Sequence, residues 1–133
     1  MILNKKQMTE KDIKLNYISP PINASGWKNG INITMETEIS VGKINIRGNM
    51  AVRENAKKVD YLLYLNKYYP IAVVEAKDNT KTISHGLQQA MEYAQMLDLP
   101  FAYNSNGDGF YQYNFFTGIE RHMSMNELSI EVF

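Results

Sequence analysis

The chain has 133 residues, 44% hydrophobic and 21% charged, which suits one globular domain over residues 1–133 and excludes a low-complexity segment. Without cysteine it has no disulfide scaffold, thiolate zinc site or thiol nucleophile; with no apolar run of roughly 18 residues and a polar N-terminus it lacks the marks of a membrane span or secretory signal, so the expected location is the cytoplasm. Basic and acidic residues balance at 14 each, yet the first 84 residues hold 13 of the basic and 8 of the acidic ones, a surplus that suits a polyanion as well as it suits ordinary solvated lysines.

Residues 9–18 have helical spacing, with Thr9 as the cap, Asp12 three residues on in the manner of a capping box, and Ile13, Tyr17 and Ile18 as the apolar stripe. Pro20 and Pro21 are expected to stop this helix. Residues 23–30, with Gly26 and Gly30 around Trp27, read as a loop. Residues 31–39 and 43–47 alternate like strands, with Val41 and Gly42 as the turn. Residues 53–58, which include Arg53, Lys57 and Lys58, read as a basic loop.

The runs VDYLLYL (59–65) and IAVVEA (71–76) are rich in β-branched and aromatic residues but do not alternate cleanly. They are therefore expected as central strands buried on both faces. Residues 83–98 form a helical stripe through Ile83, Leu87, Ala90, Met91, Ala94 and Leu97. Residues 101–104 and 109–116 read as strands around the turn-rich NSNGDG. The order helix, strands, helix, strands predicts a mixed α/β fold with a central sheet flanked by helices.

Setting Leu65 opposite Pro70 across the short connection puts Asp60 opposite Glu75. Side chains so paired are about 4.5–5.5 Å apart at Cβ. Lys77, two residues past Glu75, points to the same face. Two carboxylates this close do not both ionise cheaply unless a cation lies between them, and oxygen donors suit a hard ion such as Mg²⁺. Lys77 could then activate water or stabilise charge on a phosphoryl group. The same three charges also suit a partly buried ion pair of Lys77 with Glu75 or Asp60, and a one-residue slip in register would disperse them.

Glu10 could add a third carboxylate from the first helix, although its position alone fits a solvated residue too. Gln89 and Tyr93 share a helix face at i, i+4. Arg53, Lys57 and Lys58 precede Asp60 and could meet a DNA backbone. His85 and His122 lack zinc-ligand spacing, and NSNGDG has no lysine to make it a P-loop. Trp27 suits a core position better than a stacking platform.

These residues carry a resemblance. Asp60 followed by Glu75-Ala76-Lys77 resembles the PD-(D/E)xK nuclease motif, with Val59 where the motif has proline. Gln89 to Tyr93 resembles the QxxxY motif of part of that superfamily. The combined runs TEKDIKLNYISPPINASGW, KKVDYLLYL, PIAVVEAKDNT and GLQQAMEYAQMLDLPFAYNSNGDGF resemble the N-terminal nuclease domain of type I restriction enzyme R subunits.

That resemblance implies an αβββαβ core that cuts double-stranded DNA with Mg²⁺. It implies Glu10, Asp60, Glu75 and the Ala76 carbonyl as metal ligands, Lys77 as the catalytic lysine, and Gln89 with Tyr93 in support. It also implies that residues 1–133 are a fragment, followed in the complete subunit by an ATP-driven translocase and working with methylation and specificity subunits. ATP is expected only there, since this chain has no ATP-binding motif. Two other readings stay open: a DNA-binding or subunit-docking domain inactive alone, and a stand-alone repair or junction-resolving nuclease of the same fold.

Overall fold

The computed structural model describes residues 4–40, 43–44, 56–66, 69–124 and 127–128. A short 3₁₀ turn, Lys5–Gln7, leads into helix α1, Glu10–Ile13. The expected capping box is present: Thr9 Oγ1 accepts from the Asp12 amide at 3.1 Å, and Asp12 Oδ2 accepts from the Thr9 amide at 3.2 Å. This satisfies two end groups of the helix reciprocally.

Pro20 and Pro21 do not end the helical run. A π-helical stretch, Lys14–Ile18, passes directly into helix α2, Ser19–Ala24, where the prolines lie in the first turn. A first-turn residue needs no amide bond to the preceding turn, so proline is tolerated there. Ile13, Ile18 and Ile22 from this run are fully buried.

Seven strands form one mixed sheet among the described residues: β1 (Ile33–Ser40), β2 (Lys43–Ile44), β3 (Lys57–Asn66), β4 (Tyr69–Ala76), β5 (Phe101–Ser105), β6 (Phe110–Asn114) and β7 (Ile119–Met123). Their order is β2-β1-β3-β4-β5-β6-β7. Only β4 and β5 pair in parallel, joined by helix α3, Leu87–Met96. The order α1/α2, β1, β3, β4, α3, β5 is the expected αβββαβ core, with β2, β6 and β7 added to it. Strands β3 and β4 are central, as their continuous apolar runs require.

The core has two layers. The N-terminal helices cover one face, where Ile13, Ile18, Ile22 and Trp27 pack with Tyr61, Leu63, Val74, Tyr103 and Phe110. Helix α3 covers the other, where Ala90, Tyr93 and Ala94 pack with Val59, Leu62, Val73 and Ala102. Trp27 is a core residue, and its Nε1 donates to the Leu128 carbonyl at 2.8 Å.

Several boundaries differ from the sequence expectation. Helix α3 begins at Leu87, because Ile83–His85 form turns and Gly86 serves as the cap. Lys57 and Lys58 belong to β3 rather than to a loop, pairing with Ile39 and Glu38. Strand β7 extends the sheet beyond what the alternation pattern suggested, since four of its five residues are exposed. Arg53, the turn at Val41 and Gly42, and residues 45–47 lie outside the described residues.

The β3–β4 turn also departs from the simple register. Tyr64, not Leu65, faces Pro70, and two register shifts flank that pair. The second shift cancels the first, so Asn66 faces Tyr69 and Tyr61 faces Val74. Asp60 and Glu75 are the next residues along each strand.

Candidate active site

On β1 and β3 the alternation of faces breaks at one level. Ile33 packs under the N-terminal helices but Ile39 packs under α3, although an even number of residues separates them. Tyr61 and Val59 divide in the same way. The β1–β3 register runs to Met35 opposite Tyr61, resumes at Thr37 opposite Val59, and skips the Glu36–Asp60 level. Glu36 has φ 55°, in the left-handed region, which a non-glycine residue enters at a cost of order 1–3 kcal/mol. Asp60 therefore stands where the sheet twists open.

At this opening side chains take over from the backbone ladder. The Asp60 amide donates to Glu75 Oε2 at 2.8 Å. The Ala76 amide donates to Asp60 Oδ2 at 2.9 Å. Both carboxylates thus turn into the gap between β3 and β4 instead of diverging across the sheet. Glu75 is 4% exposed; burial, followed by the nearby charge of Asp60, pushes its pKa up to about 8.

Lys77 shares the Glu75 face, as period two requires. It pairs with neither carboxylate. Its Nζ donates to Gln89 Oε1 at 3.3 Å, and Gln89 Nε2 donates to Tyr93 Oη at 2.9 Å. Gln89 and Tyr93, one turn apart on α3, thus form a chain of hydrogen bonds ending on the lysine. Burial, then the charge of Glu75, raises the Tyr93 pKa, so the phenol stays protonated at neutral pH. Glu10, the first residue of α1, lies near enough to feel these charges: burial first, and Asp60 second, raise its pKa, while Lys77 and Lys14 pull it down.

Four participants were not anticipated from the sequence. Lys14, one helical turn beyond Glu10, is 8% exposed. Its Nζ lies 2.7 Å from Glu36 Oε1 and 3.3 Å from Asp60 Oδ1. Lys14, rather than Lys77, is the lysine paired with Asp60. Glu36 comes next; the hydrogen bond from Lys14 holds its carboxyl below the usual range. Gly86 and Asn104 enclose the Lys77 stem. A Cβ on Gly86 would lie 2.8 Å from Lys77 Cε and would strike Asn104 Oδ1. Asn104 faces Glu75 across the β4–β5 pairing. Its amide donates to the Ile83 carbonyl, while the buried Oδ1 has no hydrogen-bond partner. The spacing of Lys14 from Glu10 was a usable signal; the other three had none in the sequence.

The donor set suits a hard divalent cation. Two carboxylates in hydrogen-bonding contact with each other's strands, one of them buried, would lose their mutual repulsion to a cation between them. Among the described residues no three His, Asp or Glu side chains are gathered closely enough to hold an ion unaided. Asp60 and Glu75 would thus need a main-chain oxygen or water to complete a shell, as Mg²⁺ commonly does. Lys57 and Lys58 are exposed beside the opening.

The model of the type I restriction enzyme R protein N terminus matches residues 31–128, which include Asp60, Glu75, Lys77, Gln89 and Tyr93. The chain belongs to this family. It is 43% identical over 108 residues to the type I restriction enzyme EcoAI endonuclease subunit of Escherichia coli, covering 81% of this chain and 13% of that subunit. It is also similar to a solved fragment assigned to the HsdR subunit of a type I restriction enzyme from Vibrio vulnificus YJ016, with a TM-score of 0.74 and 35% identity over 91% of this chain and 24% of the other. The R-protein N-terminal region described here is therefore a small part of the length of such relatives. Among its described residues no helix is long and apolar enough to cross a membrane.

Proposed function

We propose that this R-protein N-terminal domain is a Mg²⁺-dependent endonuclease that hydrolyses phosphodiester bonds in double-stranded DNA. The observation that carries the reading is the crossed pair of hydrogen bonds that turns Asp60 and Glu75 into one gap, with Lys77 on the same face. Asp60, Glu75 and the Ala76 carbonyl would hold the ion, and Glu10 would approach it from α1. Bound there, Mg²⁺ would polarise a phosphate oxygen and lower the pKa of a coordinated water.

The chain's own groups supply the rest. The Lys77 ammonium, steadied by Gln89, is placed to stabilise negative charge on the phosphoryl group or to orient the attacking water. Tyr93 anchors Gln89 through the hydroxyl. Lys57 and Lys58 offer sequence-independent contacts to the DNA backbone. Nothing in the sequence resembles a base-reading helix, so specificity would come from partner subunits that recognise and methylate the site. ATP-driven translocation would belong to the remainder of a complete subunit, and the setting would be the cytoplasm.

The test is nicking of covalently closed plasmid in Mg²⁺. The expected result is conversion to open circles and linear DNA by the parent chain and none by Lys77→Ala or Asp60→Asn. Equal nicking by parent and variants would refute the assignment of the site.

A further inference from the structure

Lys14 is the one cation in contact with a candidate ligand carboxylate among the described residues. Three irregularities of backbone converge on it. It opens the π-helical stretch, a feature often found at functional sites. Glu36 adopts a left-handed conformation opposite it. The β1–β3 ladder skips the level of Glu36 and Asp60. Together they seat one buried ammonium between two carboxylates, 2.7 Å from Glu36 and 3.3 Å from Asp60.

A surface lysine gains little from such a pair. A buried one gives up its hydration for whatever partners the fold supplies. Here its role follows from location. Asp60 has two oxygens: Oδ2 takes the Ala76 amide and Oδ1 takes Lys14. Asp60 and Glu36 would be the carboxylates to hold any second cation at this end of the site, and the Lys14 ammonium already stands between them.

We propose that Lys14 is a built-in counter-cation: its ammonium, seated between Glu36 and Asp60, takes the position a second divalent ion would occupy and limits the site to one ion. This inference rests on the hydrolytic reading above. Lys14 is a positioning residue in this scheme. It fixes the Asp60 carboxylate and neutralises part of its charge, while Glu36 holds the ammonium in place. The Asp60–Glu75 gap is left as the cation site.

Calorimetric titration with Mn²⁺ alone tests it, with thermal melting as the control for folding. The parent chain is expected to bind one Mn²⁺. Lys14→Gln, which removes the ammonium seated between Glu36 and Asp60, is expected to bind two. Lys14→Gln combined with Glu36→Gln is expected to return to one, and Lys14→Arg to keep one. Two ions on the parent chain would overturn the inference without any variant. One ion on both the parent and a folded Lys14→Gln would overturn it while leaving the hydrolytic reading intact. No Mn²⁺ on the parent would overturn both.

Discussion

The main-chain amide of Asp60 donates to Glu75 Oε2 at 2.8 Å, and the Asp60 carboxylate accepts the amide of the residue after Glu75 at 2.9 Å. Each carboxyl group is thus fixed by the other's strand, in a part-buried gap where Glu75 holds its proton well above the usual range. A cation there would let both groups ionise.

A pH dependence follows. Glu75 is an acid whose pKa rises from the ordinary 4.5 to about 8 on folding, chiefly through burial and next through Asp60. Between those values the folded chain keeps a proton that the unfolded chain has released. Stability therefore falls as pH rises from about 4.5 toward about 8, and this contribution levels off above about 8. Thermal melts in EDTA across that range should show the decline. Glu75→Gln should flatten it, and added Mg²⁺ should raise the melting temperature most at the alkaline end. A flat profile for the parent chain would contradict the buried, coupled pair.

The Lys77–Gln89–Tyr93 chain predicts a graded series. Lys77→Met removes the charge and should cost about 10²–10³-fold in the cleavage rate, the scale of losing one transition-state donor. Gln89→Ala frees the ammonium from its 3.3 Å anchor and should cost roughly 10-fold or more through misplacement. Tyr93→Phe keeps the packing and loses the 2.9 Å bond to Gln89, so its effect should be smaller still. Mn²⁺ affinity should change little across the series, because none of the three is a proposed ligand. Single-turnover cleavage with parallel calorimetry measures both quantities.

Much of this site was legible in the sequence, for physical reasons that can be named. The unbroken apolar runs of β3 and β4 could only be central strands, and Asp60, Glu75 and Lys77 interrupt them at one end. The assumed facing of Leu65 and Pro70 was incorrect, yet Asp60 and Glu75 still align because the two shifts around Tyr64 cancel. The helical stretch ran past Pro20 and Pro21 because they fall in the first turn of α2, directly after a π-helical stretch, which no period of 3.6 reveals. Glu36 was illegible for a similar reason. Its role comes from a left-handed backbone in the middle of a strand, and alternation assumes that no such residue is present.

Exposed Lys57 and Lys58 should act through the DNA backbone alone. Replacing both by alanine should lower affinity for any duplex sequence about equally. It should also make the slope of log affinity against log salt shallower by about 2, if each lysine neutralises one phosphate. Lys58 lies 3.9 Å from Glu36 and is largely exposed, so this pair should contribute little to folding. Fluorescence anisotropy with two unrelated duplexes over a salt series, in Ca²⁺ to support binding, measures the change. A loss confined to one sequence would point to base contact instead.

Gly86 gives the sharpest steric prediction. It caps α3 and leaves room for the stem of Lys77 beside the buried Asn104 amide. A methyl group there would sit 2.8 Å from Lys77 Cε and would strike Asn104 Oδ1. Asn104 has little freedom to retreat, since its nitrogen donates to the Ile83 carbonyl at 2.8 Å. Gly86→Ala should therefore destabilise the domain by about 1–3 kcal/mol, the usual range for overpacking, and displace Lys77 from Gln89. Asn104→Ala should open space for the added methyl. Its own cost comes from leaving the Ile83 carbonyl unpaired, while removing an Oδ1 that has no partner is no loss in itself. The double variant Gly86→Ala with Asn104→Ala should recover part of the cleavage lost in Gly86→Ala alone, by relieving the clash that moves Lys77. Additive losses in both urea unfolding and single-turnover cleavage would show that the two residues do not share this contact.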